Sequence, residues 1–524
     1  MPHAVNMPAP GLQALILCGP GMSFTTFLAN LDENPKALLP IANRPMVWYP
    51  IDFCYRMGIT NITLICPPTA AAAIDTALKT NPFLTNLPHP WPELLAPENL
   101  DENTGTAEIL RLPEVRAKVT TDFLVLPCDL VCELGGDKLL QTWMVRAADR
   151  SALNDGSRRG SGGLGVWYDT KTVTTPVKSE MTDFIATAPL AQPAVPTSKD
   201  SLLHHLSKLV IAMPTDTLSD IKEMKNGLPI RHALFGKHAK VRLLTTHRDA
   251  HIYIFPQWIM DFVAENPRFD SISEDVIGWW AKASWQTGLA EKLGMKSILH
   301  YNVEASEEGS THGDDNDAAS SPTTRQPRPA RHAIGNLRTP TIPPMLAYIH
   351  PSGGSIIRRV DDAQLQLTVS LQLAKLPSVE EAGADASPFA HVKKVAYPEG
   401  VKPRTTITRQ DSLLAENVTV DEKTSIKESV VGASCQIKEG AKLFQCLLME
   451  GVVIGKSCKL TRCILGKNSV VGEGSTLTNC EVQENLLVEP KTEDKDNRLM
   501  SSEGLEATQQ EIDDLALADE EFEM

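Results

Sequence analysis

Gly19-Pro20-Gly21, placed directly after the apolar run Leu15-Ile16-Leu17 and followed further on by Pro35-Lys36, is a grouping that could hold a nucleotide's phosphates. The backbone N–H groups of a glycine turn can approach phosphate oxygens closely, and a cation offsets charge as a phosphate is attacked. The rest of the loop withholds what that chemistry needs. Met22, Ser23 and Phe24 stand where hydroxyl and cationic groups are wanted, and no lysine or arginine lies between Gly21 and Lys36. Whether the loop is a working site or only the shell of one is left open by these residues.

Two further groupings invite a metal. His247-Arg248-Asp249-Ala250-His251 has the i, i+4 spacing that grips an ion from a helix, but the flanking Ile252-Tyr253-Ile254-Phe255 predicts a strand. On a strand the two histidines share a face about 13 Å apart, too far for one ion. Cys446, Cys463 and Cys480 recur at a fixed interval, without a C-x-x-C pair or histidine anywhere near them. They read as core filling, and the ten cysteines as reduced thiols. No metal site is expected.

The elements that must position the loop alternate apolar runs with helical stretches over residues 1–303, the pattern of an α/β layer fold. LQALILC, NITLIC and DFLVLPCDL are short and continuous, as suits parallel strands covered on both faces. Pro45 to Gly58 reads as a helix, with proline at its start and glycine at its end. Residues 170–201, rich in proline, threonine and alanine, read as an excursion loop. Residues 304–340 are polar and short of apolar side chains, so they are expected to be a disordered insertion marking a domain boundary. Residues 341–402 then form a connecting segment, in which the alternation Leu365-Leu367-Val369-Leu371-Leu373 predicts a strand.

From Val420 to Leu487 the sequence repeats every 17 residues. Val420, Ile437, Ile454 and Val471 form one apolar column; Ile426, Leu443, Leu460 and Leu477 a second; Val431, Leu448, Leu465 and Val482 a third. Thr424, Ala441, Cys458 and Ser475 form a column of small residues suited to corners. Three flat faces per coil make a triangular parallel β-helix, assigned to residues 403–490, in which stacking supplies the core that no single coil can bury. Residues 491–524 are acidic and expected to be a solvated tail, with Leu515, Leu517 and Phe522 as the anchors if it docks instead. The net charge of −15 argues against nucleic acid as the main partner. No stretch reaches the roughly 20 apolar residues of a membrane span, and the first residues lack the pattern of a signal peptide, so the cytosol is the expected location.

An N-terminal strand, a glycine loop and Pro35-Lys36-Ala37-Leu38-Leu39-Pro40, joined to a β-helix of hexapeptide type, resemble the sugar-nucleotide pyrophosphorylases. The resemblance implies a Rossmann-like nucleotidyltransferase domain followed by a left-handed parallel β-helix. It also implies a pocket of Gly19, Gly21, Lys36, Gly105, Thr106 and Asp129, in which the aspartate would be the magnesium ligand. The departures are informative. Cys18 stands at the first loop glycine of that family, Met22 at its Ser/Thr and Ser23 at its arginine. Loss of the arginine removes a bidentate phosphate donor, and losing one such donor typically costs about 10²–10³ in rate. The pocket is therefore read as vestigial, with no catalytic residue, metal or cofactor.

A narrower resemblance is carried by PKALLPIANRPMVWYP, from Pro35 to Pro50, and by RDAHIYIF, from Arg248 to Phe255. Both are similar to the gamma-subunit family of eukaryotic translation initiation factor 2B. That likeness implies a non-catalytic subunit pairing with an epsilon subunit in a larger assembly that exchanges GDP for GTP on translation initiation factor 2. The short acidic tail, where epsilon subunits carry a helical-repeat domain, favours gamma. It also implies a helix rather than a strand over residues 359–375. The alternative is an active sugar-1-phosphate nucleotidyltransferase with an unusual loop. A β-helix acyltransferase is a weaker reading, because residues 420–490 contain no histidine to act as base.

Overall fold

The computed structural model describes residues 10–501, apart from 22, 29–31, 102, 154–161, 172–179, 191–200 and 300–341. Met22, the insertion at 304–340, much of the stretch 170–201 and the tail beyond 501 lie outside the described residues. The three apolar runs form parallel strands β1 (Gln13–Leu17), β2 (Asn61–Ile65) and β4 (Phe123–Pro127). Their continuity follows from two-sided burial: Ala14, Ile16, Leu124 and Leu126 face one core, while Leu15, Phe123 and Val125 face another.

With β3 (Glu93–Leu95), β5 (Gly163–Asp169), β6 (Asp183–Pro189), β7 (Leu206–Pro214), β8 (Arg242–Phe255) and β9 (Met345–Ile349) they build a mixed nine-stranded sheet, ordered β3-β2-β1-β4-β8-β5-β9-β7-β6. Two strands come from unexpected places. β6 lies within the stretch read as an excursion loop, where Phe184 and Ile185 are buried on opposite faces of a run otherwise built of small residues. The proline-rich flanks had masked it. β9 lies in the connecting segment, parallel to β5 and antiparallel to β7, so the sheet draws on chain from both sides of residues 300–341. Helix α1 (Trp48–Arg56) forms within the stretch between Pro45 and Gly58, but Pro45 does not start it: that proline ends the short strand Arg44–Pro45.

The alternating leucines form helix α2 (Ala363–Ala374), as the family likeness implies and the period of two does not. Asp362 caps it by accepting from Leu365 N. Leu365, Leu367, Val369 and Leu373 are all buried, so a helix covered on nearly every side loses its 3.6-residue signature.

Three parallel sheets of six, six and five short strands form the β-helix, from Thr406–Ile407 to Arg498–Leu499. The three apolar columns fill its interior. Each corner holds a residue in the left-handed conformation, again every 17 residues: Asn417, Ser434, Gly451, Asn468 and Asn485 on one edge, and Glu428, Gln445, Arg462, Asn479 and Asp496 on another. The cysteine column behaves as filling, each thiol donating to a carbonyl two residues back (Cys446 Sγ to Phe444 O 3.3 Å, Cys463 Sγ to Thr461 O 3.3 Å). Glu493–Lys495 and Arg498–Leu499 extend the stack beyond Pro490, into residues expected to be tail.

One β-helix face is apolar outside as well as inside. Leu414, Val431, Leu448 and Leu465 point into the stack, whereas their neighbours Leu413, Val430, Leu447 and Ile464 join the core of the N-terminal sheet domain together with α2. The motif from Pro35 to Pro50 is the fastening. A tight hairpin turns through Ala42 (φ 45°) and Asn43 (φ 65°) between Pro40–Ile41 and Arg44–Pro45. From it Asn43 Nδ2 donates to Val431 O of the β-helix (3.0 Å), and Ala42 N to Ser370 Oγ of α2 (3.1 Å). The Arg44 guanidinium donates to Phe389 O and Ala390 O (both 2.9 Å).

Candidate functional site

The C-terminal ends of β1 and β4 open on a cleft of about 210 Å³, the place where α/β sheets bind ligands. Gly19, Lys36, Thr106 and Asp129 line it; Gly21 and Gly105 do not. Gly21 has φ +76°, and a Cβ there would fall 2.6 Å from Lys36 Cδ, so it lets the lysine stem pass. Gly105 precedes the short helix Thr106–Arg111, and a Cβ on it would meet Asp270 O at 2.4 Å. Both glycines are packing requirements. Thr106 Oγ1 accepts from Ile272 N (2.9 Å), which fixes its hydroxyl at the cleft wall.

Asp129 lies two residues past the end of β4 and is almost wholly buried. Lys36 Nζ donates to its Oδ2 at 2.6 Å. A second cation, Arg359, closes on it from the other side, Nε donating to Oδ1 and a terminal nitrogen to Oδ2, each at 3.2 Å. The strand Ile357–Arg359 pairs antiparallel with Leu130–Cys132, so register sets Arg359 opposite Leu130 and beside the aspartate. Val360 N completes the lock by donating to Asp129 O (2.9 Å). Burial would raise the Asp129 carboxyl, but Arg359 and then Lys36 outweigh it and hold the group well below the usual carboxylate range. Lys36 is pulled two ways: burial works against its charge, and Asp129 more than restores it.

His251 also reaches the cleft. The regular strand expected around it is broken: the pairing of β8 with β5 shifts register between Asp249 and Tyr253, and His251 adopts φ 52°. That bulge re-aims the ring, so His247 and His251 do not share a face. Burial, and then the charge of Arg359, drive the His251 ring well below its ordinary pKa, so it is neutral and its Nε2 accepts from Arg359 (3.2 Å). Behind it Tyr253 Oη donates to Asp249 Oδ2 (2.6 Å) and Asp249 N donates to Asp183 Oδ2 (2.6 Å). Burial, followed by the charge of Asp183, raises the Asp249 carboxyl to about 7.

These residues do not fit a magnesium ion. Both oxygens of Asp129 are engaged, Oδ1 by Arg359 and Oδ2 by Arg359 and Lys36, and the cations on them would repel a third. With Lys36 and Arg359 charged and His251 neutral, the centre carries one surplus positive charge and favours an anion. Among the described residues no group of three or more histidine, cysteine, aspartate or glutamate side chains could hold a metal, and no helix is long and apolar enough to cross a membrane. Sequence reasoning reached Asp129 and Lys36, weighed His251 only as a metal ligand and set it aside, and missed Arg359. The one available signal for Arg359 was a basic pair, Arg358-Arg359, closing the apolar run Ile356-Ile357.

Comparison with known proteins agrees with this architecture. Residues 398–493 match the family model described as the EIF2B subunit epsilon LbH domain, the left-handed β-helix of that subunit. The chain is 27% identical over 290 residues to "Translation initiation factor eIF2B subunit gamma" of Schizosaccharomyces pombe, an alignment covering 55% of each chain. It is 26% identical over 122 residues to the protein of the same name from Caenorhabditis elegans, covering 23% of this chain and 28% of that one. The chain thus spans about half the length of the first of these curated relatives and less of the second. The likeness read from Pro35–Pro50 and Arg248–Phe255 is borne out, as is the fold: an α/β domain of nucleotidyltransferase type followed by a left-handed β-helix.

Proposed function

We propose that this chain is a non-catalytic subunit of the translation initiation factor 2B complex, pairing with its epsilon subunit and supporting GDP/GTP exchange on translation initiation factor 2 in the cytosol. The relatives' names supply the assembly, and the observation that carries the loss of chemistry is the Asp129 centre. A nucleotidyltransferase needs that carboxylate free for a divalent cation that bridges phosphates. Here Arg359 holds both of its oxygens and Lys36 shares Oδ2, which favours the subunit reading over an active sugar-1-phosphate nucleotidyltransferase. Gly19, Gly21, Lys36, Gly105, Thr106 and Asp129 then form a structural remnant of a nucleotide pocket.

The chain's purpose in this reading is architectural: the apolar β-helix face and the Pro35–Pro50 hairpin fix two domains against each other and present them together to a partner. The test is to purify the chain with a gentle tag from its own cells, identify what accompanies it, and assay GDP release from translation initiation factor 2 with and without it. A stoichiometric complex containing an epsilon-type subunit, with slower exchange when the chain is left out, is the expected result. Isolation as a lone homo-oligomer, or pyrophosphorolysis of any sugar nucleotide by the pure chain, would overturn the proposal.

A further inference from the structure

Cys18, Cys66 and Cys128 stand at one level of three adjacent strands. Leu17 is in register with both Ile65 and Pro127, so the next residue on β1, β2 and β4 is a cysteine in each case. All three face the same core. The backbones interlock there, Cys18 N donating to Ile65 O (2.8 Å) and Cys128 N to Leu17 O (3.0 Å). Two of the three line the cleft, Cys18 and Cys128, while Cys66 does not. Neighbouring strands lie about 4.8 Å apart, within the roughly 4.4–6.8 Å Cα separation that a disulfide spans.

We infer that Cys18 and Cys128 are a reversible redox pair at the cleft, Cys128 attacking as thiolate and a small hydroperoxide serving as oxidant. This goes beyond the assembly role and does not depend on it. The surroundings divide the labour between the thiols. The neighbouring Cys18 thiol, and then the charges of Lys36 and Arg359, lower the Cys128 thiol despite its burial. The proximity of Cys128, and then burial, push the Cys18 thiol well up, so it keeps its proton, which it donates to Ile16 O (3.9 Å). What singles the pair out is the cleft: Cys54, Cys66 and Cys132 are pushed up by burial, and Cys446 and Cys463, which shift each other in the same opposed way, lie inside the β-helix stack and not at the cleft.

In the first step Cys128 Sγ attacks one peroxide oxygen and the O–O bond breaks. The sulfur is oxidised to a sulfenic acid, and the departing oxygen takes a proton and leaves as water. In the second, Cys18 loses its proton and attacks that sulfur; the S–S bond forms, the S–O bond breaks and a second water leaves. Two thiols and one hydrogen peroxide thus become one disulfide and two waters. A thiol reductant reverses the result.

The test treats the full-length chain, natively folded, with hydrogen peroxide. Free thiols are capped with N-ethylmaleimide, the chain is digested without reductant, and the peptides are read by mass spectrometry. The expected result is one dominant cross-link, Cys18 to Cys128, that dithiothreitol removes, with the other cysteines capped. In Cys18→Ser, dimedone should label Cys128. In the untreated native chain, Cys128 should alkylate ahead of every other cysteine, with a half-point below the ordinary thiol value of about 8.5. A dominant Cys18–Cys66 link, oxidation spread evenly over the thiols, or reaction of Cys128 only after unfolding would overturn the inference. The native-chain measurements decide it even if the serine variant fails to fold.

Discussion

Replacing Arg359 by methionine keeps most of the side-chain volume and removes the charge that closes on Asp129. The carboxylate is 1% exposed and Lys36, its remaining partner, is 10% exposed, so water cannot take over from the guanidinium. Breaking a buried ion pair by removing one member costs about 3–5 kcal/mol, because the other charge stays behind. For a domain of this size each kcal/mol shifts Tm by about 2 °C, which gives a fall of roughly 6–10 °C. The assay is chemical unfolding of the full chain at neutral pH, run as a cycle with Asp129→Asn and the double variant. Asp129→Asn leaves Lys36 and Arg359 facing each other, so each single change should be costly. The double change should cost less than their sum by about 1–3 kcal/mol. A loss under about 1 kcal/mol in Arg359→Met, or additivity across the cycle, would refute the claim that this triad is a coupled centre standing in for a metal.

Asp249 carries a pH dependence of opposite sign to most carboxylates. Burial and Asp183 hold its folded pKa at about 7, so the folded state keeps a proton that the unfolded chain gives up near pH 4. The penalty is absent below pH 4, grows through that window and is complete above pH 7, reaching about 4 kcal/mol; Asp249→Asn should gain by that margin at pH 8 and by much less at pH 5, and an equal difference at both values would sink the assignment. Leu447→Ala, on the apolar outer face of the β-helix, should destabilise by about 2–5 kcal/mol and quicken proteolytic cutting between the domains. Unchanged cutting would show that this face does not hold them together.

The sequence announced some features loudly and others hardly at all, for physical reasons. The β-helix was legible because stacking repeats every inward position at the same interval, so Ile437 and Ile454 advertise each other. Its outer apolar column was equally regular, Leu413, Val430, Leu447 and Ile464, but an outward apolar residue carries meaning only once its partner is known. Asp129 and Lys36 could be placed because each belongs to a motif near β1 or β4. Arg359 belongs to none: it reaches the centre through strand register, from the far side of residues 300–341, and no local pattern encodes that. Helix α2 gave a false period because it is buried nearly all round. The bulge at His251 was hidden because a non-glycine residue with positive φ has no signature in the chain.

The position of β9 bears on how the chain is made. It lies between β5 and β7, yet it is synthesised after everything else in the sheet. At about 5–20 residues per second, a ribosome needs roughly 3–12 s to travel from Leu299 to Arg359. Through that interval β5 and β7 each present an open edge, the arrangement most prone to pairing with the wrong strand. Asp129 waits as long for Arg359. The nascent N-terminal domain therefore cannot complete its sheet in order of emergence, and its last strand and its central ion pair arrive together.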